Sequence, residues 1–147
     1  MGIGEKILGP KMGLTSEAKL KQMQVTDPIY GYMLRSMQVA DGGSIRLGDY
    51  IHPKAEPEIG IILKQPLTGP GVTAADVPQA VESIFPAIEI IDSQYKNFDF
   101  TLPDVIADNT SAAGVVLGRP IPIEPDVDMA AMKGDLAHQR PNRHYRY

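Results

Sequence analysis

The stretch HPKAEPEIGIIL, residues 52–63, sets two carboxylates, Glu56 and Glu58, at the head of an apolar run. Isoleucine-rich Glu58 to Leu63, bounded later by Gly69-Pro70-Gly71, predicts a strand. Side chains at i and i+2 of an extended segment point the same way, so both carboxylates face one spot. A second apolar run, PAIEIIDSQY at 86–95, carries Glu89 between Ile88 and Ile90. A charge in such a strand is costly unless it is paired or bound to a metal. Its isoleucine neighbours make simple exposure a poor account of it.

Around these runs the chain mixes short elements. Thr15 and Ser16 can cap a helix to about Met23, stopped by Asp27-Pro28, and IYGYMLRSMQV is then extended as far as the turn at Asp41-Gly42-Gly43. Thr73 is expected to cap a helix from Ala74 to about Ile84, with Val77, Ala80, Val81 and Ile84 on one face and Pro86 at its exit. Ala87 to Asp92 is expected to be a second, buried strand. Leu102 to Ala107 predicts a short helix or turn containing Pro103, and Ala113 to Leu117 a third strand ending at Gly118. Pro120, Pro122 and Pro125 mark an extended linker, and Val127 to Met132 a turn of helix. There is no internal repeat and no regular βαβ rhythm, which places the chain in the α+β class with a largely β core.

With 147 residues, 43% hydrophobic and 22% charged, the chain has the composition of one ordinary domain or a part of one. It contains no cysteine, which removes disulfide and thiolate chemistry and points to a cytoplasmic setting. The opening MGIGEKILGPKMG has no secretory apolar region, and no stretch approaches the roughly 20 apolar residues of a membrane span, so no membrane partner is expected. A net charge of −4 gives no general reason to expect nucleic acid as a partner. The exception is His138 to Tyr147, which carries three Arg and two His and is either a basic arm or a disordered end.

Three carboxylates converging on one point repel by about 3 to 4 kcal/mol per pair at an effective dielectric near 20. A divalent cation removes that cost, and an all-oxygen set suits Mg²⁺, Mn²⁺ or Ca²⁺ rather than zinc. His52 is either a further site residue or a loop imidazole. Lys11, flanked by glycines in GPKMGLT, either meets an anion or is an exposed loop lysine. Asp108-Asn109-Thr110-Ser111 either caps a helix, the cheaper account, or orients a ligand.

The strings LGPKMGLTS, DPIYGY, HPKAEPEI, PAIEIIDSQYKNF and LPDVIADNTSAA occur in that order. Together they resemble the hydratase and decarboxylase branch of the fumarylacetoacetate hydrolase superfamily, densely from about Glu5 to Gly118. The resemblance implies a partial mixed β-sheet or β-barrel core with short flanking helices. It implies Mg²⁺ or Mn²⁺ held by Glu56, Glu58 and Glu89, with Lys11 as the catalytic lysine and Leu14, Thr15, Asn109 and Ser111 at the substrate. The implied substrate is a small 2-oxo acid whose C1 carboxylate and C2 oxo group approach the metal, and the implied assembly is a homo-oligomer, with a hydratase as a candidate partner.

Hydratases of the branch commonly carry an acidic residue where this chain has Ile29, and Pro28-Ile-Tyr-Gly31 and Tyr95-Lys-Asn-Phe98 are more like the decarboxylases. The expectation is therefore decarboxylation of 4-oxalocrotonate (2-oxohex-3-enedioate) to 2-hydroxypenta-2,4-dienoate. The alternatives are a 2-keto-4-pentenoate hydratase or a truncated, non-catalytic remnant that keeps the ligands. Gln94 and Gly114 depart from positions where the branch commonly has Arg. Family members also extend further at both ends, so residues 1–136 are expected to be a partial catalytic domain. Residues 137–147 are expected to be a basic tail foreign to the family, such as a shifted reading frame would produce.

Overall fold

The computed structural model describes residues 4–17, 20–21, 27–124 and 126–137. In chain order the strands are β1 (Ile7–Gly13), β2 (Ile29–Leu34), β3 (Gln38–Val39), β4 (Lys54–Leu63), β5 (Val81–Ile91), β6 (Ala112–Leu117) and β7 (Ile121–Pro122). Two short α-helices lie wholly within the described residues, α1 (Val77–Ala80) and α2 (Leu102–Ala107). Strands therefore dominate, as the α+β expectation with a β core requires. No helix among the described residues is long and apolar enough to cross a membrane.

The chain divides into two compact units, Met1–Glu56 with Ile88–Val116, and Pro57–Ala87 with Leu117–Tyr147. Sheet order is β3-β6-β5-β4, with β7 also pairing with β5, and β1 and β2 form a separate two-stranded sheet.

In the first unit β1 and β2 run antiparallel, with Lys11 opposite Gly31 and Met12 opposite Tyr30. β2 alternates as a half-buried strand does: Ile29, Gly31 and Met33 are buried, while Tyr30 and Tyr32 are exposed. Ile29, Met33, Leu34, Ile90, Val105 and Val115 supply its buried apolar side chains. α2 starts at Thr101, whose backbone N–H and hydroxyl both donate to the Asp104 carboxylate at 2.9 and 2.6 Å, and Pro103 sits in the first turn where no N–H is needed. The expected turn at Asp41–Gly43 is present: Gly43 N–H donates to the Ala40 carbonyl at 2.8 Å and Gly42 takes φ 72°. Glu17, Leu20 and Lys21 are helical, and the other positions of the expected helix beyond Glu17, among them 18, 19, 22 and 23, lie outside the described residues.

Three expectations are corrected here. Lys11 lies in a strand rather than a loop, because β1 is one half of a two-stranded ribbon, where Gly9, Pro10 and Gly13 are tolerated. The extended run from Ile29 is broken by a 3-10 turn at Arg35–Met37 before β3. The helix expected over Ala74 to Ile84 is only Val77–Ala80, and Val81 already has extended backbone angles.

That last correction belongs to the second unit. Val77, Ala80, Val81 and Ile84 fit a helical period, but Val81, Ser83, Ala87 and Glu89 are buried in alternation, and the period of two prevails. Thr73 does not cap the helix. Its N–H and hydroxyl both donate to Asp76, the N-cap residue, at 2.7 Å. Pro86 falls inside β5 without breaking it, since its carbonyl accepts the Gly118 N–H at 2.8 Å while β7 pairs with β5 back at Ser83 and Ile84. β7 is a short strand where only an extended linker was expected. Phe85 lies over Gly60: a Cβ on Gly60 would fall 2.0 Å from the ring. Met129–Ala131 forms the expected turn of helix, with the Asp128 carboxylate accepting from Ala130 and Ala131 N–H groups at 3.0 and 3.3 Å.

Candidate active site

Lys11 occupies the face of β1 that looks toward the unit's interior, opposite a glycine. Gly31 matters there because a Cβ would come within 2.7 Å of Asn109 Oδ1, 2.8 Å of Thr110 Oγ1 and 2.9 Å of the Asn109 carbonyl. The missing side chain lets the turn Asn109–Ser111 sit directly on β2. Asn109 then acts like a strand neighbour of Tyr32, accepting its N–H at 2.8 Å and donating to its carbonyl at 2.9 Å. The turn directs the Thr110 carbonyl at Lys11, whose ammonium donates to it at 3.0 Å.

The same ammonium pairs with Glu89 on β5. Glu89 is 4% exposed, and burial pushes its carboxyl above the ordinary glutamate range. The charge and hydrogen bond of Lys11 pull it back down, and the nearby charge of Glu56 adds a smaller upward push.

Glu56, Glu58 and Glu89 each offer one carboxylate oxygen within 4.8 Å of the others. Glu56 is half-buried, Glu58 exposed and Glu89 buried. Oxygens on opposite sides of one Mg²⁺ stand about 4.2 Å apart, and around Ca²⁺ about 4.6 to 5.2 Å. Three hard oxygen donors within 4.8 Å span a Ca²⁺ as they stand and would close up by a few tenths of an ångström around Mg²⁺.

The start of β4 is set by Asp92, just past β5, whose carboxylate accepts the Ile51 and His52 N–H groups at 2.8 and 2.7 Å. The His52 ring packs on Phe98 at 4.8 Å between centroids, and Lys54 Nζ lies 3.7 Å above the same ring. His52 Nε2 is buried and makes no hydrogen bond. The imidazole thus belongs to the packing of the loop that precedes β4.

Lys11 and the three glutamates are therefore brought together. Leu14 and Thr15 follow β1 directly, Leu14 half-buried at φ 55° and Thr15 exposed. Asn109 spends its amide on Tyr32, and the Ser111 hydroxyl donates to Asp108 at 3.1 Å. Sequence reasoning missed the parts played by Gly31, Asp92 and the backbone carbonyl of Thr110. Gly31 carried a signal, a lone glycine inside a strand pattern, whereas the role of a backbone carbonyl such as that of Thr110 leaves none.

No family model matches the chain. Over 129 residues it is 46% identical to a 4-oxalocrotonate decarboxylase of Pseudomonas putida, covering 88% of this chain and 49% of that protein. This chain is homologous to the decarboxylases and hydratases. A 2-keto-4-pentenoate hydratase of Burkholderia vietnamiensis is 40% identical over 135 residues, covering 91% of this chain and 51% of the hydratase. The structure of a 4-oxalocrotonate decarboxylase from Pseudomonas putida G7, complexed with magnesium and adipate, matches with a TM-score of 0.77 and 46% identity. That match covers 81% of this chain and 46% of the decarboxylase. A second decarboxylase structure from that source, complexed with calcium and acetate, matches with a TM-score of 0.73. The resemblance to the hydratase and decarboxylase branch is borne out over this span. The chain spans about half the length of the curated relatives it matches.

Proposed function

We propose that this chain carries the cation- and lysine-bearing part of a divalent-metal-dependent carbon–carbon lyase that decarboxylates 4-oxalocrotonate. The observation that carries the reading is Lys11 paired with Glu89 inside the Glu56, Glu58, Glu89 cluster. Residues 1–136 are taken as the part of a fumarylacetoacetate-hydrolase-type core that holds the site, and residues 137–147 as a tail outside it. Glu56, Glu58 and Glu89 would hold Mg²⁺, with Mn²⁺ as a substitute of the same donor preference. When bound, the cation supplies Lewis acidity toward the oxygen of a 2-oxo acid.

The other contributions come from the chain itself. Glu89 and the Thr110 carbonyl fix the Lys11 ammonium, so a positive donor stands beside the carboxylate cluster without reorganising. In the reaction the bond from C5 to the C6 carboxylate breaks and CO₂ leaves. Its electron pair moves through the conjugated double bond onto the C2 oxygen, where Lys11 stabilises the charge or helps protonate it. The product is 2-hydroxypenta-2,4-dienoate, one CO₂ smaller than the substrate. Leu14, Thr15, Asn109 and Ser111 remain candidates for the substrate's surroundings.

The test is a Mg²⁺ titration followed by thermal melting and by turnover of 2-oxohex-3-enedioate. Stabilisation with turnover supports the lyase, stabilisation without it supports a remnant that keeps the ligands, and neither effect removes the site. Lys11→Gln should bind Mg²⁺ yet turn over at least 100-fold more slowly. Unchanged turnover in that variant would take Lys11 out of the mechanism. The 40% identity to a hydratase supports a second reading, water addition to a 2-hydroxydienoate, which the same preparation tests with the monocarboxylate substrate.

A further inference from the structure

The turn Asn109–Ser111 has three consecutive non-glycine residues in the left-handed region, at φ 51°, 54° and 57°. L-residues adopt this region at a steric cost, and the β-branched Thr110 is among the least suited to it. The Thr110 side chain does not explain the conformation, because its buried hydroxyl makes no hydrogen bond. What holds the turn comes from its neighbours. Asn109 bonds both backbone groups of Tyr32, Ser111 N–H and hydroxyl both donate to Asp108, and the Ser111 carbonyl accepts Asp92 N–H at 2.8 Å. Asp108 is itself held by Ser93 and by the Gln94 N–H. Beyond these ties, the strained turn delivers the Thr110 carbonyl to the Lys11 ammonium.

We propose that the left-handed turn is a positioning device for Lys11, with Asn109 as its positioning residue and Gly31 as the gap that admits it. This rests on the reading of Lys11 as the site's working amine. With one acceptor, Glu89, a flexible four-carbon stem could still swing; with a second acceptor from a different element, the ammonium is held at one point. Asn109 acts on Lys11 at one remove, through the two bonds its amide makes to Tyr32 and the turn those bonds hold. Gly31 acts by what it lacks, since any Cβ there displaces both Asn109 and Thr110.

The test reads Lys11 directly and needs no turnover. The intact chain, without added metal, is acetylated under limiting reagent, and the rate at Lys11 is followed by mass spectrometry against exposed Lys54 and Lys64 in the same molecules. Lys11 in the parent chain should react at least tenfold more slowly than Lys54. Asn109→Ala should raise the Lys11 rate at least tenfold. Gly31→Ala reaches the same turn from β2 and should do the same, which keeps the test decisive if Asn109→Ala fails to fold. Val81→Ala, a buried truncation in the other unit, should lower the melting temperature yet leave the Lys11 rate at the parent value. Parent-like Lys11 labelling in folded Asn109→Ala or Gly31→Ala overturns the proposal, and so does equal release of Lys11 by Val81→Ala. If instead Lys11→Gln turns over normally while these labelling results hold, the reading of Lys11 as the working amine falls and the positioning device stands.

Discussion

Lys11 and Glu89 form an ion pair across 78 residues of sequence, with side chains only 10% and 5% exposed. The pair answers the problem that Glu89 poses within its strand. It also brings a cation to the edge of a three-carboxylate cluster whose members repel. Charge balance near the cluster therefore has two sources, the lysine that is always there and any divalent ion that binds.

Removing the lysine should show how much Glu89 depends on it. Lys11→Met leaves a buried carboxylate without its counter-charge, which pushes its carboxyl further up and should cost about 3 kcal/mol at neutral pH. Urea denaturation at pH 7 and at pH 4.5 measures this, and the loss should shrink at the lower pH, where Glu89 can protonate. An equal loss at both values would mean that Lys11 stabilises by packing alone.

The pH dependence follows from the signs of two shifts. Glu89 is raised in the folded chain, so between 4.5 and its folded value the folded state binds more protons. The stability this group allows is fully present below 4.5 and falls as pH rises through the folded value. Asp104 is lowered by its hydrogen bonds from Thr101, so its contribution is present above 3.8 and is lost as pH falls through the depressed value. Glu89→Gln should flatten the first slope and Thr101→Val the second, each read from denaturation midpoints between pH 3 and 8 without divalent ions.

Gly60→Ala should be destabilising although it adds one methyl group. The Cβ would lie 2.0 to 2.6 Å from three carbons of the Phe85 ring, so the ring must leave its position. An overpacking loss of about 1 to 3 kcal/mol is expected. The paired change Phe85→Leu, which shortens the obstacle, should recover part of it.

The homo-oligomer expected from the sequence has a physical candidate in β4. Ile59, Ile61 and Leu63 lie on one side of that strand and are 42%, 46% and 44% exposed. Analytical ultracentrifugation at micromolar concentration should detect self-association in the parent chain, and Ile61→Asp should reduce it. A parent chain that sediments as a monomer throughout would reject the oligomer.

Legibility of the fold varied with the kind of signal. Leu102–Ala107 was expected residue for residue and Ala112–Leu117 to within one residue, because Pro103 and Gly118 punctuate the chain locally. The stretch from Ala74 to Ile84 was misread because its apolar residues satisfy two periods at once, and only pairing in the sheet selects between them. β1 was missed for the opposite reason: Gly9, Pro10 and Gly13 weaken every local strand signal, and the register with β2 supplies what they lack.

The candidate site divides along the same line. The sequence alone determined that Glu56 and Glu58 share a face and that Glu89 requires a partner, since both follow from alternation along a strand and the cost of burying charge. Tertiary structure alone decided that Lys11 is that partner, that Gly31 makes room for the Asn109–Ser111 turn, and that a strained backbone carbonyl holds the ammonium. Such relations depend on contacts between residues 78 to 99 positions apart, which no local propensity encodes.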